Sequence, residues 1–220
     1  ERAEAWARVG ACFFRDVDRV GDLGREALEL ARQGHNVAAE ANALGMICLS
    51  LRSRLELEEF GAASSRAVAL ADASGVRLAY ALFPHGNASY AAYDRDRHDE
   101  AAAYLTAGER VAQALGDDNY LQLMLVVGAA QQLARGDWDG ALAALQAGLS
   151  LAESVGARAW VEPAVIRGQV ALHRGGPASA ARHLDEARML VAAGLPAREI
   201  GGTTRLEIAC LERSGQAEPA

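Results

Sequence analysis

Between Ala134 and Gly156, small and apolar residues return every three or four positions: Ala141, Leu142, Leu145, Gly148, Leu149 and Ala152. That spacing follows the turn of an α-helix and gives it one face that needs cover. Gly136-Asp137 reads as a tight turn from a preceding helix. Asp137 and Asp139 stand at the new helix's start, where free N–H groups and the helix dipole favour acids. Gly156 stands where a left-handed residue closes it. The rest of the chain reads as edited copies of this unit.

Three sets of glycines give one period. Gly34, Gly75, Gly116, Gly156 and Gly194 close helices at steps of 41, 41, 40 and 38. Gly45, Gly86, Gly128 and Gly168, inside the preceding helices, step by 41, 42 and 40. The turn glycines Gly136, Gly175 and Gly215 step by 39 and 40. Self-similarity of this kind marks a repeat architecture.

The predicted helix pairs are Ala3–Arg15 with Asp22–Gln33, Val37–Arg52 with Glu58–Ser74, Arg77–Tyr93 with Glu100–Leu115, and Tyr120–Ala134 with Asp139–Val155. A fifth pair runs from Glu162 to Arg174 and from Pro177 to Ala193, each started by a proline suited to a first turn. A sixth begins after Pro196 and reaches the turn Ser214-Gly215-Gln216. No alternating β-branched run suggests a strand. The expected fold is all-α: one solenoid domain over residues 1–220, of about five and a half antiparallel helix pairs with a concave face. Each pair has more apolar face than it covers alone, so neighbours cover one another.

Gly136-Asp137-Trp138 followed by Ala141 and Gly148 resembles the tetratricopeptide pattern of a Gly-Asp-aromatic turn and small residues seven apart. Gly175-Gly176-Pro177 with Ala180 and Ala187 follows it loosely, and Glu59-Phe60 with Ala62 and Ala69 more loosely. The period exceeds the usual 34 and approaches that of HEAT repeats. The longer form, rich in Ala, Leu and Arg, is similar to the repeat region of large ATP-binding LuxR-type transcriptional regulators. That resemblance implies a sensor module, with a nucleotide-switching domain before the repeats and a helix-turn-helix after them.

Composition removes several other functions. A net charge of −7 and the absence of a basic face argue against direct nucleic-acid binding. All 22 basic side chains are Arg, so neither a Walker A lysine nor a Schiff-base lysine exists. Cys12, Cys48 and Cys210 lack pairing motifs, which predicts reduced thiols and a cytoplasmic protein. No apolar run is long enough to span a membrane. The start at Glu1, mid-helix and without Met, predicts a piece of something longer, whose cut terminal repeats could pair in a homodimer.

No catalytic constellation and no metal spacing emerge, and no cofactor is expected. The five His are scattered, and the acids of Asp94–Glu100 interleave with Arg95, Arg97 and His98 as in a solvated turn. The candidate site is the inner groove, lined in tetratricopeptide arrays by the first helix of each pair. Its predicted lining is Asn42 and Met46 from the second pair, and Tyr80, Phe83, Asn87 and Tyr90 from the third. Gln122 and Gln132 follow from the fourth, then Glu162, Gln169 and His173 from the fifth. Two readings of the aromatics stand: groove wall, or core between repeats. Asn and Gln in the same rows favour the groove. Pro84, read as lying inside Arg77–Tyr93, predicts a kink that opens a cavity shared by Tyr80, Asn87, Tyr90 and Gln132.

The expected occupant is a protein segment or a neutral small-molecule effector, because no Lys completes a clamp for a carboxylate tail. The favoured function is the ligand- or protein-binding module of a multidomain transcriptional regulator. The alternatives are a free-standing scaffold that docks peptides, and a helical-array enzyme.

Overall fold

The computed structural model describes residues 17–156, 161–193 and 202–215. Among them are ten α-helices, one 3-10 turn and no strand. The expected all-α repeat fold is what the chain adopts, with successive helices packed on their neighbours. The predicted Ala3–Arg15 helix, Cys12 and Gly194 lie outside the described residues. Cys48 and Cys210 are free, buried thiols. No helix among the described residues is long and apolar enough to cross a membrane.

The chain divides into two compact units, Glu1–Met124 and Leu125–Ala220. The first holds α1 (Val17–Gln33), α2 (Val37–Ser53), α3 (Leu57–Ser74), the 3-10 turn Arg77–Tyr80, α4 (Pro84–Tyr93) and α5 (His98–Leu115). The boundary falls within α6 (Asp118–Ala134). The second unit continues with α7 (Trp138–Ser154), α8 (Glu162–Gly175), α9 (Pro177–Ala192) and α10 (Gly202–Ser214).

Local chemistry sets the boundaries. The Asp137 carboxylate accepts the Gly140 N–H at 2.9 Å and caps α7, as its position implied. Asp117 does the same for Tyr120 at 3.0 Å, which places the start of α6 two residues earlier than expected. Gly75, Gly116 and Gly156 close their helices at φ of 62°, 58° and 63°. Gly34 does not; His35 takes the left-handed conformation after α1 instead, at φ 51°. Helix α1 also begins five residues before the predicted Asp22, taking in Gly21 as well as the expected Gly24. A Cβ on Gly21 would lie 2.5 Å from the Ser50 hydroxyl, so these glycines let α1 lie close on α2.

The predicted kink at Pro84 does not form. Arg77–Tyr80 makes a separate 3-10 turn, Phe83 reverses the chain at φ 55°, ψ 55°, and α4 begins at Pro84. A continuous helix would press the proline ring on the Tyr80 carbonyl and remove a hydrogen bond; starting a new helix at proline avoids both costs. In this arrangement the Tyr80 carbonyl accepts the Phe83 N–H at 3.1 Å.

Burial separates the two kinds of helix. The second helix of a pair buries one stripe, as in α3, where Phe60, Gly61, Ser64, Ala67 and Ala71 are inside. The first helix is sandwiched: from Pro84 through Ala92 every residue of α4 is buried. In the second unit Val126, Ala129 and Leu133 of α6 pack on Ala141 and Leu145 of α7 and on Ile166 and Val170 of α8. Burying each such aliphatic side chain contributes about 1.5–3 kcal/mol. A further cluster joins Leu172, Ala180, Leu184, Leu206 and Cys210 across α8, α9 and α10.

The repeat period reappears in polar contacts. Arg52 to Asp94, Arg77 to Asp117 and Arg213 to the Leu172 carbonyl span 42, 40 and 41 residues. Each ties a position to its counterpart region one repeat along, as expected where a unit touches mainly its neighbours.

Candidate functional site

In the second unit, three first helices leave a cleft of about 400 Å³. Ala130, Leu133 and Ala134 come from α6, Gln169, Leu172 and His173 from α8, and Arg205, Leu206 and Ala209 from α10. Trp138, the aromatic of the Gly-Asp-Trp turn, completes the wall. Small residues on α6 and α10 keep the cleft open, while Leu133, Leu172 and Leu206 floor it with buried aliphatic surface.

The polar edge is held in place from outside the cleft. The Trp138 and His173 rings meet with centroids 4.2 Å apart and a 35° tilt. The Arg213 guanidinium lies 3.4 Å from Nδ1 of His173 and donates to the Leu172 carbonyl at 3.0 Å. Arg174 at the end of α8 reaches Asp139 at the start of α7 at 2.6 Å, tying together the helix ends on either side of Trp138. The result is an open cleft with an aliphatic floor and a polar edge of similar extent, able to bury part of a small molecule and to hydrogen-bond it.

Of the predicted lining, Gln169 and His173 are in this cleft. Gln132 is half-buried on α6, one residue from Leu133, and its Oε1 has no hydrogen-bond donor among the described residues. Glu162, at the start of α8, is 2% exposed and sits inside the unit. Trp138, Arg205, Leu206 and Ala209 were not anticipated. A signal for them existed: Ala130, Gln169 and Ala209 stand at steps of 39 and 40, so the repeat carries the row into α10.

The predicted residues of the first unit are interior. Asn42, Met46, Tyr80, Asn87, Tyr90 and Gln122 are all buried, and Phe83 is half-buried. The open wall expected along Tyr80, Asn87 and Tyr90 is replaced by packed side chains. The amides have backbone work to do there: Asn42 Nδ2 donates to the Leu78 carbonyl at 2.7 Å, and Asn87 Nδ2 to the Leu82 carbonyl at 2.9 Å. Leu78 lies in the 3-10 turn, where its carbonyl also accepts the Ala81 N–H at 3.2 Å, and Leu82 lies between that turn and α4, so the break that replaced the kink supplies the partners of these two amide groups. The Arg52 guanidinium carbon lies 3.8 Å from the centre of the Tyr90 ring while its Nε donates to Asp94 at 2.9 Å.

Beside them runs a polar aromatic cluster. The Tyr80 hydroxyl donates to Asp72 Oδ1 at 3.0 Å, and His85 Nε2 lies 3.6 Å from the same oxygen. Tyr120 Oη is 3.0 Å from His85 Nδ1 and accepts the His85 backbone N–H at 3.3 Å. Tyr80 and Tyr120 rings are 5.6 Å apart, and Phe83 stacks on Tyr120 at 6.0 Å and 10°. Burial, then the hydrogen bond to Asp72 and its charge, push the Tyr80 hydroxyl up to about 12. Burial raises Tyr120 as well, and it lowers His85 against the opposing pull of the Asp72 charge. Tyr80, His85 and Tyr120 are inside the unit; the cluster reaches its surface at half-buried Phe83 and at Asp72, whose side chain is 46% exposed. It locks α3, α4 and α6 together, whereas the cleft of the second unit has room for a ligand.

Searches against protein-family models and against curated proteins return no match for this chain.

Proposed function

We propose that this chain is the ligand- or protein-binding helical-repeat module of a multidomain, cytoplasmic transcriptional regulator, and that it binds in the cleft of its second unit. The observation that carries the binding role is that cleft: apolar floor, aromatic wall, and polar groups supplied by three successive first helices. An occupant touching α6, α8 and α10 joins three consecutive helix pairs. Its binding energy adds to the stability of their arrangement, the form in which a repeat array can pass a signal to its neighbours.

The regulatory half of the proposal is supported by the sequence: the Gly136-Asp137-Trp138 turn and the long period resemble the repeats of LuxR-type regulators. In that reading the module itself neither hydrolyses ATP nor contacts DNA, in keeping with its −7 charge and lack of Lys.

A thermal-shift panel of sugars, blocked peptides and small organic acids tests the binding role. At least one class should raise the melting temperature of the wild type and leave Trp138→Ala and Gln169→Ala unmoved. Shifts that survive both substitutions, or none across the panel, contradict it. The coding sequence beyond Ala220 tests the regulatory half: a helix-turn-helix is expected there, and its absence favours a scaffold that docks peptides.

A further inference from the structure

We propose that the cleft takes a small apolar carboxylate, its hydrocarbon body against Trp138 and Leu206 and its carboxylate on the Arg205 guanidinium. The inference rests on the binding role proposed above and names the chemical class of the occupant. The sequence had suggested a neutral one, because the groove read from it held no cation beyond His173. The fold adds Arg205 to the wall.

The polar edge of the cleft supplies donors from Arg205, His173 and Gln169. Arg205 offers N–H groups and no acceptor. His173 is a donor as well, for a geometric reason: Arg213 Nη2 lies 3.4 Å from Nδ1, and a guanidinium can only donate. Nδ1 is therefore the acceptor, and the ring hydrogen sits on Nε2. Gln169 adds an amide that makes no side-chain hydrogen bond among the described residues.

Among the described lining residues there is no carboxylate, in a chain whose acids outnumber its bases by seven. The two that flank Trp138 are committed elsewhere: Asp137 caps α7 through Gly140 at 2.9 Å, and Asp139 pairs with Arg174 at 2.6 Å. An anion entering the cleft thus meets donors and a positive charge, and no competing carboxylate among the described lining residues. Arg205 has an interaction within the protein too. With five N–H donors in a planar fork, the guanidinium serves that contact and a carboxylate together.

Size narrows the class. At about 30 Å³ per water-sized group, the cleft of about 400 Å³ holds roughly a dozen non-hydrogen atoms. That suits a short aryl or alkyl acid and is too small for a partner's helix.

The test uses the intact chain with 4-phenylbutyrate and its neutral isostere 4-phenylbutyramide, titrated by calorimetry against wild type, Arg205→Gln and Arg205→Lys. Circular dichroism and melting temperature verify that each variant is folded. The carboxylate should bind the wild type about tenfold tighter than the amide or better, Arg205→Gln should erase the difference, and Arg205→Lys should keep part of it. Equal binding of the two probes, or a preference that survives Arg205→Gln, overturns the carboxylate class and leaves the cleft's binding role standing. Binding of neither at millimolar concentration also overturns the class, and the thermal-shift panel then judges the binding role separately.

Discussion

Tyr120 and His85, 35 positions apart, share one hydroxyl in two ways: Oη is 3.0 Å from the imidazole Nδ1 and accepts the backbone N–H of the same residue at 3.3 Å. Asp72, as a carboxylate, can only accept, so Nε2 beside it at 3.6 Å carries the ring proton, and Nδ1 is left to accept the Tyr120 hydroxyl hydrogen. Removing the hydroxyl leaves two buried groups of His85 unpaired. Tyr120→Phe should therefore cost about 1–3 kcal/mol, more than its change in volume warrants. Urea unfolding read by circular dichroism measures it, and a loss under about 0.5 kcal/mol would contradict the network.

The same contact sets a pH response. Burial lowers the folded pKa of His85, so the folded state disfavours the charged ring. Its neutral form contributes stability that is complete above the ordinary histidine range, near 6.5, and is lost as pH falls below it. Asp72 opposes this with its charge, while the Tyr80 and Tyr120 hydroxyls face the same cluster and stay protonated throughout. His85→Gln should flatten the fall in melting temperature between about pH 7 and pH 5. An unchanged slope would assign the response to other groups.

Gly108 of α5 lies under this cluster. A Cβ there would stand 2.7 Å from Met124 Sδ and 2.9 Å from His85 Cβ. Met124 can swing away, but His85 is held by Tyr120, so Gly108→Ala should destabilise by about 1–3 kcal/mol through overpacking, against its gain in helix propensity. A stabilised variant would show that α4 and α5 can separate at small cost.

Leu55 offers the opposite sign. It holds φ 59° between α2 and α3 with 70% of its surface exposed. Leu55→Gly removes the left-handed strain and forfeits little burial, so it should stabilise by about 1 kcal/mol. Leu145, 2% exposed in the second unit, should lose about 2–5 kcal/mol on truncation to Ala. The two substitutions, measured by urea unfolding, separate turn strain from core packing.

The parts of the fold legible in the sequence are those with explicit local chemistry. Gly75, Gly116 and Gly156 announced left-handed ends, Asp137 announced a cap, and Pro177 announced a start. Phe83 gave no such signal, because a non-glycine residue at positive φ is held by its surroundings: here by Tyr120 stacked on its ring and by the proline that follows. Without it, Pro84 fitted a kinked helix as well as a new one.

Of the eleven predicted lining residues only Gln169 and His173 border the cleft, for a related reason. Rows of Asn and Gln suggest a groove because buried amides need partners, but Asn42 and Asn87 find theirs in the carbonyls of Leu78 and Leu82 beside the break that the sequence does not announce. Gln169 and His173 border the cleft because α8 follows the regular pattern over its last two turns, while Glu162 at its start is buried inside the unit. Arg205 was missed because α10 lacks the full pattern, and Trp138 because its turn already accounted for it.

The binding role of the cleft is tested most directly by replacing the three tryptophans with 5-fluorotryptophan and following each by fluorine NMR during titration with a compound that raises the melting temperature. Substituting Trp138 by Phe identifies its resonance. The account predicts that the Trp138 resonance moves and saturates with the same midpoint as the thermal shift. A compound that saturates the protein while the Trp138 resonance stays in place would contradict it.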